Sequence, residues 1–426
     1  MNFLLCILSL IILFCFSTTN CNDFCDANNN NNENYNCGEE SNNSLMNTRY
    51  IFYDVNPPEG FNLRRDVYLR MAVFVRKMKK ENWILVLPPW PHLYHWMSDT
   101  IPDQSRLPWS LFFNISTLST FAPVIEMNDF LQTRENKIDK VYVLQHFKDT
   151  FTSGNFNDRM EVEPCINDIP YHRQSNGFVG HFWDYDNVTA ESVECLSFHG
   201  SASQLGKILK KTKHKTIMFD HAEVVLHDSF GDKLYWDARR SMKFSDNLIK
   251  EANRYRKIKL NSTDESDVTF WPNKKRNAIG GNYMCVHLRR KDFLYGRKKD
   301  VPSIEGAAEQ IGKALQELGL NTVFVATDAS KDEKRKLKNL LDKYKILYYN
   351  PSSEIIQTYK DGGVAIIEQI ICSHARKFYG THESTFSFRI QEEREIMGFK
   401  PEMTFNRLCG DKQKNCKPPS KWLIVY

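Results

Sequence analysis

Between residues 63 and 81, apolar side chains return at roughly helical spacing through Val67, Leu69, Met71, Val73, Phe74 and Met78, with Arg and Lys among them. That period predicts an amphipathic helix. Short apolar runs lie on either side, RYIFYDV at 49–55 and NWILVLPPW at 82–90. They predict buried strands over 50–55 and 83–88, the second stopped by its two prolines. KVYVLQ (140–145) and KTIMFD (215–220) carry the same strand signal, while the aromatic, irregular text between them assigns no element.

From 282 the alternation becomes regular. Strands are predicted at 282–288, 322–328, 346–350 and 377–380, and helices at 303–319, 331–345, 362–375 and from 384. Ser330 and Glu333 stand at capping-box spacing before the second of these helices. Such β-α repetition predicts a parallel sheet covered on both faces, and ligands of such sheets bind beyond the carboxyl ends of the strands. The rule points to 287–290, Asp328 and Ser384-Thr385, and in the first half to NPPEGFN (56–62). Two α/β domains facing a cleft are therefore expected, 49–265 and 266–426, with a linker near 260–280.

The chain has 426 residues, long enough for two domains, with 41% hydrophobic residues and a net charge of +5. Basic runs such as KILKKTKHK (207–215) are offset by acids spread throughout, which argues for a solvated face and against a nucleic-acid partner. The run FLLCILSLIILFCF (3–16) has the length of a signal-peptide h-region and is too short to span a bilayer. A signal peptide over 1–19, a disordered Asn-rich spacer over 20–48 and a secreted or lumenal chain without a membrane span are expected. Sequons at Asn42, Asn114, Asn187 and Asn261 agree with that compartment. So do the eleven cysteines, which should partly pair there. Cys409 with Cys416 and Cys165 with Cys195 are candidate bridges; Cys285 and Cys372, in apolar runs, are read as buried thiols; the partners of Cys21, Cys25 and Cys37 stay open.

HLRRKDF (287–293) ends a strand with two arginines, whose planar forks suit phosphate oxygens. THESTFSF (381–388) precedes a helix, where free amides and hydroxyls suit an anion, although Ser384 or Thr385 could equally serve as a plain cap. Together the two places suggest a diphosphate ligand. No G-x-x-x-x-G-K-[ST] or G-x-G-x-x-G motif is present, so P-loop and common dinucleotide readings fall away. Asp184-Tyr185-Asp186 has the D-x-D spacing of some manganese-dependent sugar transferases. His92 and His95, without a helix beneath them, are read as partly buried aromatic-loop histidines.

YDVNPPEGFNLRRDVYLR, LPPWPHLYHW, HLRRKDF, DVPS, FVATDA, YKDGGVAIIEQ and STFSFRIQEERE, in this order, closely resemble the GDP-fucose protein O-fucosyltransferases. The match is to the second type, which modifies thrombospondin type 1 repeats, and it runs from Arg49 to Tyr426. The resemblance implies a GT-B fold of two Rossmann-like domains. It implies inverting transfer of fucose from GDP-fucose to a Ser or Thr hydroxyl, without metal or other cofactor, in the endoplasmic reticulum. It assigns Glu59 as the base. Pro58, Gly60, Phe61 and Asn62 fall beside it at the donor, and His287, Leu288 and Arg289 at the donor-binding strand end, with Arg289 on the diphosphate. Thr385 and Phe386 match the anion site, and Glu368 the position that holds guanine. Acceptors of this type are folded thrombospondin repeats. Competing readings are the first type, acting on EGF-like repeats, a lumenal GDP-sugar-binding quality-control factor, and a D-x-D metal-dependent transferase.

Overall fold

The two apolar runs beside the first amphipathic helix form neighbouring parallel strands, β1 (Arg49–Tyr53) and β2 (Trp83–Leu87), joined through helix α1 (Phe61–Lys77). A computed structural model describes residues 48–426 apart from 97, 99, 102, 134, 135, 414 and 415. The expected signal peptide, nearly all of the spacer, Asn42, Cys21, Cys25 and Cys37 lie outside the described residues.

Seven further strands complete the first sheet: β3 (Val124–Glu126), β4 (Lys137–Gln145), β5 (Arg159–Val162), β6 (Tyr171–Gln174), β7 (Gly177–Gly180), β8 (Thr189–His199) and β9 (Thr216–Asp220). Their order is β3-β2-β1-β9-β4-β8-β7-β6, with β5 also paired to β8. The six strands from β3 to β8 in that order are parallel; β5, β6 and β7 pair antiparallel. Along β1, Ile51 and Tyr53 enter one apolar cluster while Tyr50 and Phe52 enter another, so both faces of the sheet are covered.

After helix α2 (Lys233–Ser241) the chain builds a second sheet from β10 (Gly281–Leu288), β11 (Thr322–Thr327), β12 (Lys345–Leu347) and β13 (Ala375–Tyr379). All its pairings are parallel, in the order β12-β11-β10-β13. Helices α3 (Ile304–Leu318), α4 (Lys331–Leu340), α5 (Ser353–Ser373) and α6 (Thr385–Ile396) alternate with these strands. Ser330 and Glu333 close the expected capping box. α5 starts earlier than the sequence predicts and kinks at Lys360, whose φ of 59° breaks the helical pattern before Gly362. One apolar cluster runs from Ile51 and Phe219 of the first sheet to Cys285, Phe324 and Phe378 of the second.

Cys165–Cys195 and Cys409–Cys416 are disulfides, as expected. Cys285 and Cys372 are not thiols: they form a third disulfide, with Cα atoms 5.1 Å apart. α5 packs directly over β10, and this brings two residues from distant apolar runs face to face. No helix among the described residues is long and apolar enough to cross a membrane.

Candidate active site

The chain leaves β1 through a turn at Pro57-Pro58, closed by the Glu59 amide donating to the Asn56 carbonyl at 3.0 Å. Arg64, on the first turn of α1, is buried and folds back along this loop. Its guanidinium donates to the carbonyls of Val55 (2.8 Å), Asn56 (3.0 Å) and Glu59 (3.0 Å), and meets Asp54 at 3.3 Å. Burial pushes the Asp54 carboxyl up to about 6, against the pull of Arg64. On the other side, Glu223 accepts the Asn56 amide at 3.0 Å. The backbone is thus gripped by its own polar groups, while Glu59 lines a cleft of about 650 Å³. Phe61 anchors the helix start among Trp90, Trp96 and Phe112. A Cβ at Gly60 would come within 3.1 Å of the His95 ring, which would have to give by a few tenths of an ångström.

The facing wall is built at the carboxyl end of β10. Arg289 donates to Asp328 at 2.6 Å, to Asp292 at 2.5 Å and to His95 Nδ1 at 3.3 Å. Its amide donates to the Thr381 hydroxyl, which donates in turn to the His287 carbonyl. His287 Nδ1 lies 2.8 Å from the Ser387 hydroxyl, and its ring stacks on Phe386 with centroids 4.4 Å apart. Burial, and then the Arg289 charge, push His287 down to about 3, so the ring is neutral. Enclosure by the cleft walls and the same cation push His95 down to about 4. Ser384 caps α6 without a side-chain hydrogen bond to it, so the helix start that carries Thr385 and Phe386 keeps its donors for an anion. Glu368, from α5, also lines the cleft; burial, with Asp328 adding to it and Lys334 opposing, raises its carboxyl to about 8.

Of the residues expected at the site, Pro58, Glu59, Gly60, Phe61, Asn62, His287, Arg289, Glu368, Thr385 and Phe386 line this one cleft. Leu288 does not: its side chain is buried in the core with Val286 and Ile304, and only its backbone reaches the strand end. Arg290 also turns away, to Glu333 and the Pro302 carbonyl. Asp184 and Asp186 lie beside a separate surface pocket, Asp184 paired with His181 at 3.3 Å. Among the described residues no group of three or more His, Cys, Asp or Glu could hold a metal ion. By surface area His92 and His95 are exposed rather than partly buried, although the His95 ring faces into the cleft, which accounts for its desolvation. Arg64 and His95 were missed, because a basic residue on an amphipathic helix and a histidine in an aromatic loop carry no sign of where they point. Asn187 and Asn261 are exposed, while Asn114 caps a helix through its side-chain oxygen.

A second polar system ties the walls together. Asn62 accepts from Arg65 (3.2 Å) and from Gln369 of α5 (2.8 Å), and Arg65 donates to Gln369 at 2.7 Å. Deeper, Arg239 of α2 pairs with Glu392 of α6 at 2.6 Å and with Glu393, all three buried. Arg389 reaches Glu392 at 2.8 Å and Asp66 of α1 at 3.5 Å.

Two α/β sheets whose parallel strands turn their carboxyl ends to one cleft, with a lone carboxylate on one wall and a cation beside an open helix start on the other, define a GT-B-like glycosyltransferase. The family model for GDP-fucose protein O-fucosyltransferase matches residues 50–397, and the chain belongs to that family. It is 47% identical over 389 residues to GDP-fucose protein O-fucosyltransferase 2 of Homo sapiens, covering 89% of this chain and 90% of that one. The protein of the same name from Caenorhabditis elegans is 42% identical over 393 residues, covering 89% and 90%. The fold matches the crystal structure of POFUT1 in complex with GDP-fucose, with a TM-score of 0.56 at 17% identity over 85% of this chain and 98% of that one.

Proposed function

We propose that this chain transfers fucose from GDP-fucose to Ser or Thr hydroxyls of folded thrombospondin type 1 repeats, with inversion and without a metal, in the lumen of the endoplasmic reticulum. Three disulfides suit an oxidising lumen. Residues 49–265 carry the base and 266–426 bind the donor. The observation that carries the reading is the placement of Glu59 and Arg289 on facing walls of one cleft.

GDP lies with its diphosphate between Arg289 and the start of α6, and its guanine toward Glu368. The acceptor oxygen attacks the anomeric carbon from the face opposite the diphosphate. As that C–O bond forms, the bond from the anomeric carbon to the phosphate oxygen breaks, and GDP leaves with the electron pair. An alcohol is a weak nucleophile until its proton is taken, and Glu59 takes it. The stapled turn holds that carboxylate in place before the acceptor arrives. Arg289 and the helix amides stabilise negative charge growing on the diphosphate, work that a divalent cation does in other enzymes. The hydrogen bonds from Arg289 to Asp292 and Asp328 keep its fork oriented.

The deciding experiment supplies labelled GDP-fucose with a folded thrombospondin repeat and, separately, a folded EGF-like repeat. Transfer to the first alone is expected. Transfer to the EGF-like repeat alone would reassign the acceptor, and binding of GDP-fucose without transfer to either would reduce the chain to a binding protein.

A further inference from the structure

His95 takes no part in the scheme above, yet it touches both walls of the cleft. It stands in the loop that follows β2, and that loop is pinned. The Trp90 amide donates to the Leu107 carbonyl at 2.8 Å and the Leu107 amide to the Trp90 carbonyl at 3.0 Å, while the Ser98 amide donates to Asp361 of α5 at 3.0 Å. Beside His95, the Trp96 amide donates to the Leu93 carbonyl at 2.8 Å, and the Trp96 ring packs on Phe61 with centroids 5.7 Å apart. The Tyr94 ring lies against the imidazole, with centroids 3.6 Å apart. A side chain set between such anchors is oriented before a ligand arrives.

The two ring nitrogens have different neighbours. Arg289 Nη2 stands 3.3 Å from Nδ1. A guanidinium has only donors, so Nδ1 presents its lone pair and the ring proton sits on Nε2. A protonated imidazole could not accept there, and burial together with the Arg289 charge keeps the ring neutral. The other edge of the ring faces the base loop: a Cβ on Gly60 would lie 3.2 Å from Nε2. Glycine therefore leaves the Nε2 proton uncovered in the cleft, and no group among the described residues accepts it. Gly60 adjoins Glu59, and Arg289 is the proposed diphosphate partner, so the imidazole spans the interval from base to leaving group. The sugar has to fill that interval, because its anomeric carbon faces the acceptor oxygen on one side and the phosphate oxygen on the other.

We propose that His95 orients the sugar of the donor, its Nε2–H donating to a ring hydroxyl of fucose so that the anomeric carbon is turned toward Glu59 and the incoming oxygen. A hydroxyl accepts such a bond through its lone pairs and still has a proton to give elsewhere. The inference rests on the transferase reading above and adds a residue that tells the nucleotide sugar from the bare nucleotide. Arg289 keeps its carboxylate partners Asp292 and Asp328 when His95 is removed, so the diphosphate wall stays intact. Loss of His95 is then felt by GDP-fucose and not by GDP.

The test compares the affinities of GDP and GDP-fucose, measured by calorimetry without acceptor, for the parent, His95→Ala, His95→Phe and His95→Gln. The alanine and phenylalanine variants should bind GDP-fucose about three- to tenfold more weakly, as for one lost neutral hydrogen bond. Their GDP affinity should stay parental, which also shows that they fold. His95→Phe keeps a ring against Tyr94 without an N–H, whereas His95→Gln restores a donor and should recover part of the loss. Equal weakening of both ligands in His95→Ala overturns the proposal, since His95 would then act only by holding Arg289. Parental GDP-fucose affinity in either the alanine or the phenylalanine variant overturns it as well. If the parent binds GDP-fucose but transfers to neither repeat, the transferase reading fails, while the same comparison of the two ligands still judges His95.

Discussion

Arg64 donates from Nε to the carbonyl of Glu59 at 3.0 Å, so the residue proposed as base is held by its backbone while its carboxylate stays in the cleft. The same guanidinium bonds the carbonyls of Val55 and Asn56, and a single side chain therefore fixes the whole exit from β1. Arg64→Ala should slow transfer by about tenfold to a hundredfold, since a charge-assisted hydrogen bond contributes roughly 1.5–3 kcal/mol. GDP affinity should be kept, because Arg64 does not touch the donor wall. Arg64→Lys should recover part of the rate. Equal losses of GDP affinity and rate in Arg64→Ala would show general unfolding instead of a displaced loop.

Glu59→Gln keeps the shape of the side chain and removes its basicity. Transfer should fall by roughly 10²- to 10⁴-fold, the range for a lost general base. Binding of GDP and of the folded repeat should persist. Near-parental transfer by the folded variant would move the role to Asp292, the next carboxylate along the cleft.

Arg289→Ala should weaken GDP binding and transfer together, by about 1.5–3 kcal/mol or more than tenfold, for loss of a charged contact. Arg289→Lys restores the charge without the planar fork and should recover only part. Titration calorimetry with GDP decides the matter, and parental affinity in the alanine variant would remove Arg289 from the diphosphate.

Glu368 predicts a dependence on pH. Its carboxyl is raised to about 8, so without ligand it is protonated at neutral pH, whereas guanine ring donors require the ionised form. GDP binding then releases a proton below pH 8, and affinity should tighten by up to about tenfold per pH unit between 6 and 8. The stability of the free protein changes in the opposite sense. The raised folded value makes the protonated carboxyl the favoured native form, so its contribution is fully present below the ordinary carboxylate range. It is lost as pH rises toward 8. Comparing parent with Glu368→Gln at pH 6 and pH 8 isolates the effect, since GDP's own titration cancels. Identical pH slopes in the two proteins would exclude guanine recognition by Glu368.

Chelation should leave transfer unchanged, because Arg289 and the helix start supply the positive potential at the diphosphate. A rate that collapses with chelator and returns with manganese would overturn this assignment of the phosphate partners.

The second sheet was legible in the sequence almost strand for strand. Its central strands β10 and β11 are apolar runs buried on both faces, and its helices announce themselves by caps such as Ser330 and Glu333. The antiparallel strands β5 to β7 were not, because they sit at a half-exposed edge where no clean alternation forms. In β8, which pairs with β5 and β7, exposed and buried positions mix along one long strand. At the site, the motifs located both walls but not the traffic between them. LRRD shows two arginines on a helix; only the fold reveals that Arg64 turns back to the loop while Arg65 crosses to Gln369. Cys285 and Cys372 escaped for a similar reason, since a pairing across 87 residues leaves no local trace.

The buried pairing of Arg239 with Glu392 and Glu393, and of Arg65 with Gln369, bears on how such enzymes diversify. Arg65 of α1 and Arg239 of α2 find their partners on α5 and α6, helices that alternate with the strands of the second sheet. Replacing α5 and α6 by segments without these partners would leave the guanidiniums unpaired in a dry interior, a heavier loss than any surface bridge. Helices α1 and α2 are therefore not exchangeable independently of α5 and α6. New preferences have to arise residue by residue along the cleft, on a chassis inherited whole.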